Sequence, residues 1–150
     1  MKDISLMKHA SSAPGLRLFG LGPAFMPIKG LEQLQFLFNQ NTLWAKDRSI
    51  EQIKKMQANS NVIITLWNKD KLIGFGRATT DHVFRAVLWD IVVSKDLQRN
   101  GLGKVLVEEL LKDKKIYSAE KVYLMTTDSK DFYKQLGFKV NINQSLMILN

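Results

Sequence analysis

From Ile91 to Lys104 the chain reads as an apolar run of strand length, a polar loop carrying two glycines, and the start of the strongest amphipathic period in the sequence. A helix opening at such a loop presents first-turn N–H groups that have no intrahelical partner, together with the positive end of its dipole. Both favour an anion at that point. Gly101 and Gly103 lack a Cβ, which lets a ligand approach the backbone, and Arg99 and Lys104 add full charges beside the same turn. The chemistry this pattern suits is the holding of a diphosphate. Neither Gly-x-x-x-x-Gly-Lys-Ser/Thr nor Gly-x-Gly-x-x-Gly occurs here, so nucleoside triphosphate hydrolysis and nicotinamide binding lose support. Gly-x-Gly at a strand-to-helix turn also serves simply to tighten a loop, and on this fragment alone that reading stays open.

The elements that must position this loop follow from periodicity. Leu31, Leu34, Leu37 and Phe38 recur at helical spacing over 30–40, and Ser49 is placed to N-cap a second helix over 50–58 with Ile53 and Met56 on one face. Trp44, in the link between them, is expected to anchor the core because a large aromatic ordinarily buries area. The period then changes to that of strands: 62–67, a polar turn at 68–71, and 71–79 read as a hairpin. After a turn at 81–84, residues 86–93 read as a central strand buried on both faces. Residues 101–116 are the clearest helix, with Leu102, Val105, Leu106 and Leu110 on one side and Glu108 four residues before Lys112 on the other. A strand over 122–126, a short helix over 130–136 stopped by Gly137, and closing strands at 138–140 and 146–149 complete an α/β fold with a mixed sheet. Residues 1–14 read as a loosely ordered lead-in, and 15–150 as a single domain.

Composition bounds the function. The chain has 150 residues, 45% hydrophobic and 24% charged, with a net charge of +8. Acids are interleaved with bases throughout, and the densest basic run, Lys112-Asp113-Lys114-Lys115, suits a solvated helix end. No basic arm marks a nucleic-acid or membrane partner, so neither is expected. The absence of cysteine excludes disulfides and thiolate nucleophiles, and no metal is expected. No apolar run approaches the roughly 20 residues of a membrane span, and the N-terminus lacks the continuous apolar segment of a secretory signal. These features give the expectation of a soluble, cytoplasmic protein.

Two stretches carry a family resemblance. Gln98-Arg99-Asn100-Gly101-Leu102-Gly103 after a buried strand resembles the Gln/Arg-x-x-Gly-x-Gly/Ala signature of the GNAT superfamily of acyl-CoA-dependent N-acetyltransferases. About thirty residues on, Asp131-Phe132-Tyr133-Lys134-Gln135-Leu136-Gly137-Phe138 resembles that superfamily's second signature, a helix bearing a Tyr and ending in Gly-Phe. Residues 73–81 and 88–93 are further similar to the cyanobacterial and plastid branch, which includes the plant serotonin N-acetyltransferases. The resemblance covers roughly residues 30–140.

It implies a three-layer fold with a mixed sheet of about six or seven strands and helices on both faces. It implies acetyl-CoA as co-substrate, its pantetheine arm hydrogen-bonded to the backbone of Ile91, Val92 and Val93. The diphosphate would lie on the N–H groups around Gln98, Arg99, Asn100, Gly101, Leu102, Gly103 and Lys104, with Asp128 and Phe132 as additional contacts. Tyr133 becomes the general acid that protonates the departing thiolate. Period two puts Val87, Trp89, Ile91 and Val93 on one face of the strand, and the family's Glu or His base is absent there. Asp81 and Asp90 are the candidate bases, His82 a weaker one, and a water-relayed path needs none of them; Asp90 points away by parity unless a bulge re-aims it. Trp44 and Trp89 become walls of an acceptor pocket suited to an arylalkylamine or the stem and cation of a lysine. The expected activity is acetyl transfer to a primary amine by direct attack in a ternary complex. The competing expectation is an acyl-CoA-binding regulatory module that turns nothing over. The family also supplies homodimers, which no residue here specifies.

Overall fold

The computed structural model of the chain describes residues 3–9 and 29–150. Its helices are α1 (Gly30–Asn41), α2 (Ile50–Ala58), α3 (Leu102–Lys112), α4 (Lys114–Tyr117) and α5 (Lys130–Gln135), and its strands β1 (Ile4–His9), β2 (Val62–Asn68), β3 (Lys71–Thr80), β4 (Arg85–Val93) and β5 (Lys121–Leu124). The described residues form a five-stranded sheet in the order β1-β2-β3-β4-β5. Every neighbour is antiparallel except β4 and β5, which run parallel and are joined through α3 and α4.

Two cores account for the layers. On one face Leu34, Phe38 and Ile53 of α1 and α2 pack against Ile63, Trp67 and Phe75 of the sheet. On the other, Leu106 and Leu110 of α3 and Ile116 of α4 pack against Ile64, Leu66, Ile73 and Leu88. Ser49 N-caps α2 as its position implies, accepting from the Gln52 N–H while the Gln52 side chain accepts from Ser49 N–H.

The structure corrects several expectations. Ile4–His9 is a strand and not a loose lead-in; it pairs with β2, and its Lys8 reaches Asp113 at 2.5 Å. Residues 1–2 and 10–14 of that lead-in lie outside the described residues. The helix expected over 101–116 breaks at Asp113, whose extended backbone and carboxylate cap α4 through the Lys115 N–H. The closing strands at 138–140 and 146–149 do not form: these residues take no strand structure, and Ile142, Met147 and Leu149 are exposed. Trp44 is no core anchor, being 52% exposed; Trp67 fills that role, fully buried with its indole N–H donated to Thr65 Oγ1. Finally, β4 is not buried on both faces. Ala86 and Leu88 are buried, but Val87 and residues 89–91 are only half-buried.

Candidate active site

The half-burial of β4 has a topological cause. Its ladder with β5 runs only from Arg85↔Lys121 to Leu88↔Leu124, so beyond Leu88 the strands part and residues 89–93 have no strand neighbour on that side among the described residues. Backbone groups left this way need a partner, and a ligand supplies one. The gap opens into a cleft of about 1190 Å³. Its walls come from β4, the 125–129 loop with Tyr133, and the end of α1 with the link that follows.

A bulge decides what β4 presents there. Its register with β3 jumps from Phe75↔Val92 to Arg77↔Trp89, placing an extra residue opposite Gly76. Asp90 takes φ 55°, a left-handed backbone that aspartate tolerates better than most residues. A Cβ on Gly76 would lie 2.9 Å from Ile91 Cδ1, so the missing side chain is the space into which Ile91 turns. The strict alternation expected along the strand is therefore broken. Ile91 and Val93 pack towards α3, while Val92 packs beneath α1 and α2. What these three residues offer the cleft is backbone.

The bulge also re-aims Asp90, the alternative left open by parity. Its side chain is 5% exposed and ion-paired at 2.7 Å to Arg77 Nε and at 3.1 Å to Arg48 Nη1. Arg48 Nη2 donates to Asp90 Oδ1 at 3.2 Å, so guanidinium groups engage both carboxylate oxygens. Arg77 lies over the Trp89 ring, and Trp89 donates its indole N–H to Thr79 Oγ1. Asp81 is occupied differently. Its Oδ1 accepts from the N–H groups of Val83, Phe84 and Arg85, and the Arg85 and Val83 bonds hold its carboxyl below the ordinary value. It caps the turn before β4, and the cleft begins three residues beyond Arg85 along that strand, at Leu88, about 10 Å on at strand rise. His82 sits in the same turn with φ 69°. Neither residue lines the cleft, where a candidate base would have to stand.

Tyr133 does line it. Its ring is held edge-on between Phe132, at 4.9 Å between centroids, and Phe138, at 5.9 Å. Burial pushes its phenol above the ordinary 10.0, and its hydroxyl makes no hydrogen bond among the described residues. It therefore holds a proton through the neutral range and has that proton to give.

The glycine loop adjoins the cleft at Gln98, whose side-chain amide donates to the Val93 carbonyl at 3.0 Å. Arg99 and Gly101 both take left-handed φ, 64° and 79°, and α3 begins with neither a side-chain cap nor an acidic residue in its first turn. Left-handed residues interleaved with others turn successive N–H groups towards one side, forming an anion nest. Asn100 donates to Leu97 O, and Lys104 stands 3.7 Å from Glu108. Gly103 has a packing role as well: a Cβ there would come 3.3 Å from Phe132 Cζ, so this glycine admits α5 against α3. Phe132 is correspondingly a packing residue outside the cleft lining. Asp128 lines the cleft and accepts from the Ser129 hydroxyl, and Trp44 and Trp89 line its far side. Arg48 and Arg77 had not been singled out from sequence; a lone Arg and a lone Asp in two neighbouring apolar strands were the available signal for Arg77.

A parted pair of parallel strands, a left-handed loop at the following helix and the half-buried Tyr133 phenol meet at this one cleft. The chain belongs to the GNAT acetyltransferase family, whose profile matches residues 28–138. It is 39% identical over 100 residues to the N-acetyltransferase ycf52 of Pyropia yezoensis, covering 63% of this chain and 57% of that protein. It is 44% identical over 73 residues to the chloroplastic GCN5-related N-acetyltransferase 2 of Arabidopsis thaliana, covering 47% of this chain and 28% of that one. The fold matches a GNAT-family protein from Xanthomonas campestris with a TM-score of 0.75 at 19% identity, over 98% of this chain and 92% of the other.

Proposed function

We propose that this chain binds acetyl-CoA along the unpaired half of β4 and transfers the acetyl group to a primary amine by direct attack within a ternary complex. The observation that carries this reading is the proton-bearing hydroxyl of Tyr133, without a hydrogen bond among the described residues, inside the cleft where β4 parts from β5. When bound, acetyl-CoA supplies an activated thioester. The loop from Arg99 to Lys104 holds its diphosphate on backbone N–H groups, and the backbone of Ile91, Val92 and Val93 lines up its pantetheine arm. A β4 N–H near Val93 stabilises the negative charge that develops on the carbonyl oxygen. Tyr133 gives its proton to the departing thiolate.

The amine must arrive neutral. Asp81 and Asp90 are both engaged elsewhere, which supports a water-relayed path for its proton. Trp44 and Trp89 suit an arylalkylamine or a lysine-type amine on the far side of the cleft. The chloroplastic name of the Arabidopsis relative supports a plastid or cyanobacterial setting over a general cytoplasmic one. The engagement of both carboxylates also favours a second reading, an acyl-CoA-binding module without turnover.

Tyr133→Phe separates the two. The hydroxyl has no hydrogen bond to lose among the described residues, so the variant should fold and bind acetyl-CoA as wild type does, while kcat falls by about 10²-fold or more. Unchanged turnover would remove Tyr133 from the chemistry. Tight acetyl-CoA binding by the wild type with no thiol released in the presence of any amine would establish the second reading.

A further inference from the structure

The walls of the acceptor side come from two places that the backbone does not join: the link after α1, which carries Trp44, and the bulge of β4, which carries Trp89. One carboxylate connects them. Asp90 pairs with Arg48 of the link at 3.1 Å and with Arg77 of β3 at 2.7 Å, from a position 5% exposed. Arg48 is itself fixed. It lies over the Phe38 ring, its guanidinium donates to Met56 Sδ, and its carbonyl accepts from the Gln35 side chain. Arg77 carries the connection to the other wall, stacked 5.6 Å over Trp89. Asp90 holds a left-handed φ of 55° at the bulge, a strained backbone that persists where surrounding contacts over-determine it. The two guanidinium groups supply those contacts.

We propose that Asp90, through its ion pair with Arg48, is a positioning residue that fixes the Trp44 wall against the Trp89 wall and thereby sets which amines the cleft accepts. It takes no proton from the amine. The link's other hydrogen bonds among the described residues are short-range: Thr42 bonds back to Phe38, and the Asp47 N–H to Asn39. Ala45 packs the middle of the link into the core with Phe75 and Val92, and among the described polar contacts of the link the Arg48–Asp90 pair is the one that joins it to β4. Losing it leaves acetyl-CoA on β4 and the glycine loop undisturbed but lets the Trp44 wall drift, a change felt most by an amine large enough to touch both indoles.

The inference rests on the acetyl-transfer reading, and its test reports on each separately. Wild type, Arg48→Met and Asp90→Asn are compared for acetyl-CoA Kd, for kcat and KM with a bulky arylalkylamine and a small alkylamine, and for the pH profile of kcat/KM. Asparagine also tolerates the left-handed backbone, so Asp90→Asn keeps the bulge. Expected is a rise of roughly tenfold in the arylalkylamine KM, with the small-amine KM, acetyl-CoA Kd and pH profile unchanged, and partial recovery in Arg48→Lys. Trp44→Ala, at a half-exposed site that tolerates truncation, should shift the same selectivity ratio and show no additional effect when combined with Arg48→Met. An unchanged ratio in Trp44→Ala or Arg48→Met overturns the proposal. So does a collapse of kcat with loss of the acidic limb in Asp90→Asn alone, which would make Asp90 a base. Absence of turnover by wild type with any amine overturns the acetyl-transfer reading, and this proposal falls with it.

Discussion

At the scale of single residues, chemical type is a poor guide to role until the partners are known. Asp81, Asp90 and Tyr133 are all chemically able to move protons, yet of the three only the Tyr133 side chain has no hydrogen bond or ion pair among the described residues. Asp81 is spent on three backbone N–H groups of its own turn and Asp90 on two guanidinium groups. Asp81→Ala should therefore leave kcat and both KM values near wild type while lowering the melting temperature, because the turn before β4 loses its cap. A loss of turnover in a normally folded Asp81→Ala protein would return that residue to the chemistry. The sequence showed Tyr133 through its motif. It could not show that Asp90 is clamped, since Arg48 is 42 residues away and arrives only through the packing of α1 and α2.

At the scale of elements, the glycine loop and α3 were legible because they combine two local signals, an apolar period and residues that permit left-handed φ. The β4 bulge was not. Gly76 signals it only in retrospect, as the strand position whose missing side chain accommodates Ile91. Gly103 is expected to give room for a ligand, and the structure shows that its missing side chain also gives room to Phe132. Gly103→Val should overpack the α3–α5 contact at a cost of about 1–3 kcal/mol, and by displacing α5 it should lower turnover through Tyr133. Denaturant unfolding checks the first effect. Normal stability with weakened acetyl-CoA binding would instead restore the ligand role.

At the scale of the whole molecule, β1 escaped the sequence reading because Lys8 and His9 interrupt its apolar positions, as charges do on edge strands. The Lys8 charge has a use: with Asp113 it ties β1 to the break between α3 and α4. Burial opposes ionisation of Asp113, but the Lys8 ammonium and the Lys115 N–H outweigh it and hold the carboxyl below 3.8. A depressed carboxyl stabilises the fold above its unfolded value and loses that contribution as pH falls through the folded one. Asp113→Asn keeps the α4 cap but not the charge pair, so it should cost about 1–2 kcal/mol at neutral pH, Lys8 being half-exposed. The gap to wild type should close below about pH 4; a gap constant with pH would mean the ion pair contributes nothing. The closing strands expected after α5 are apolar but take no strand structure, because apolar side chains do not by themselves supply a pairing partner. The central claim concerns the cleft that this architecture leaves between β4 and β5, and the most direct measurement is product detection. Wild-type chain, acetyl-CoA and a panel of arylalkylamines, polyamines, amino acids and lysine peptides are incubated while released thiol and amine mass are followed. The account predicts a monoacetylated amine formed in step with the thiol for at least one class; saturable acetyl-CoA binding with no acetylated amine across the panel would contradict it.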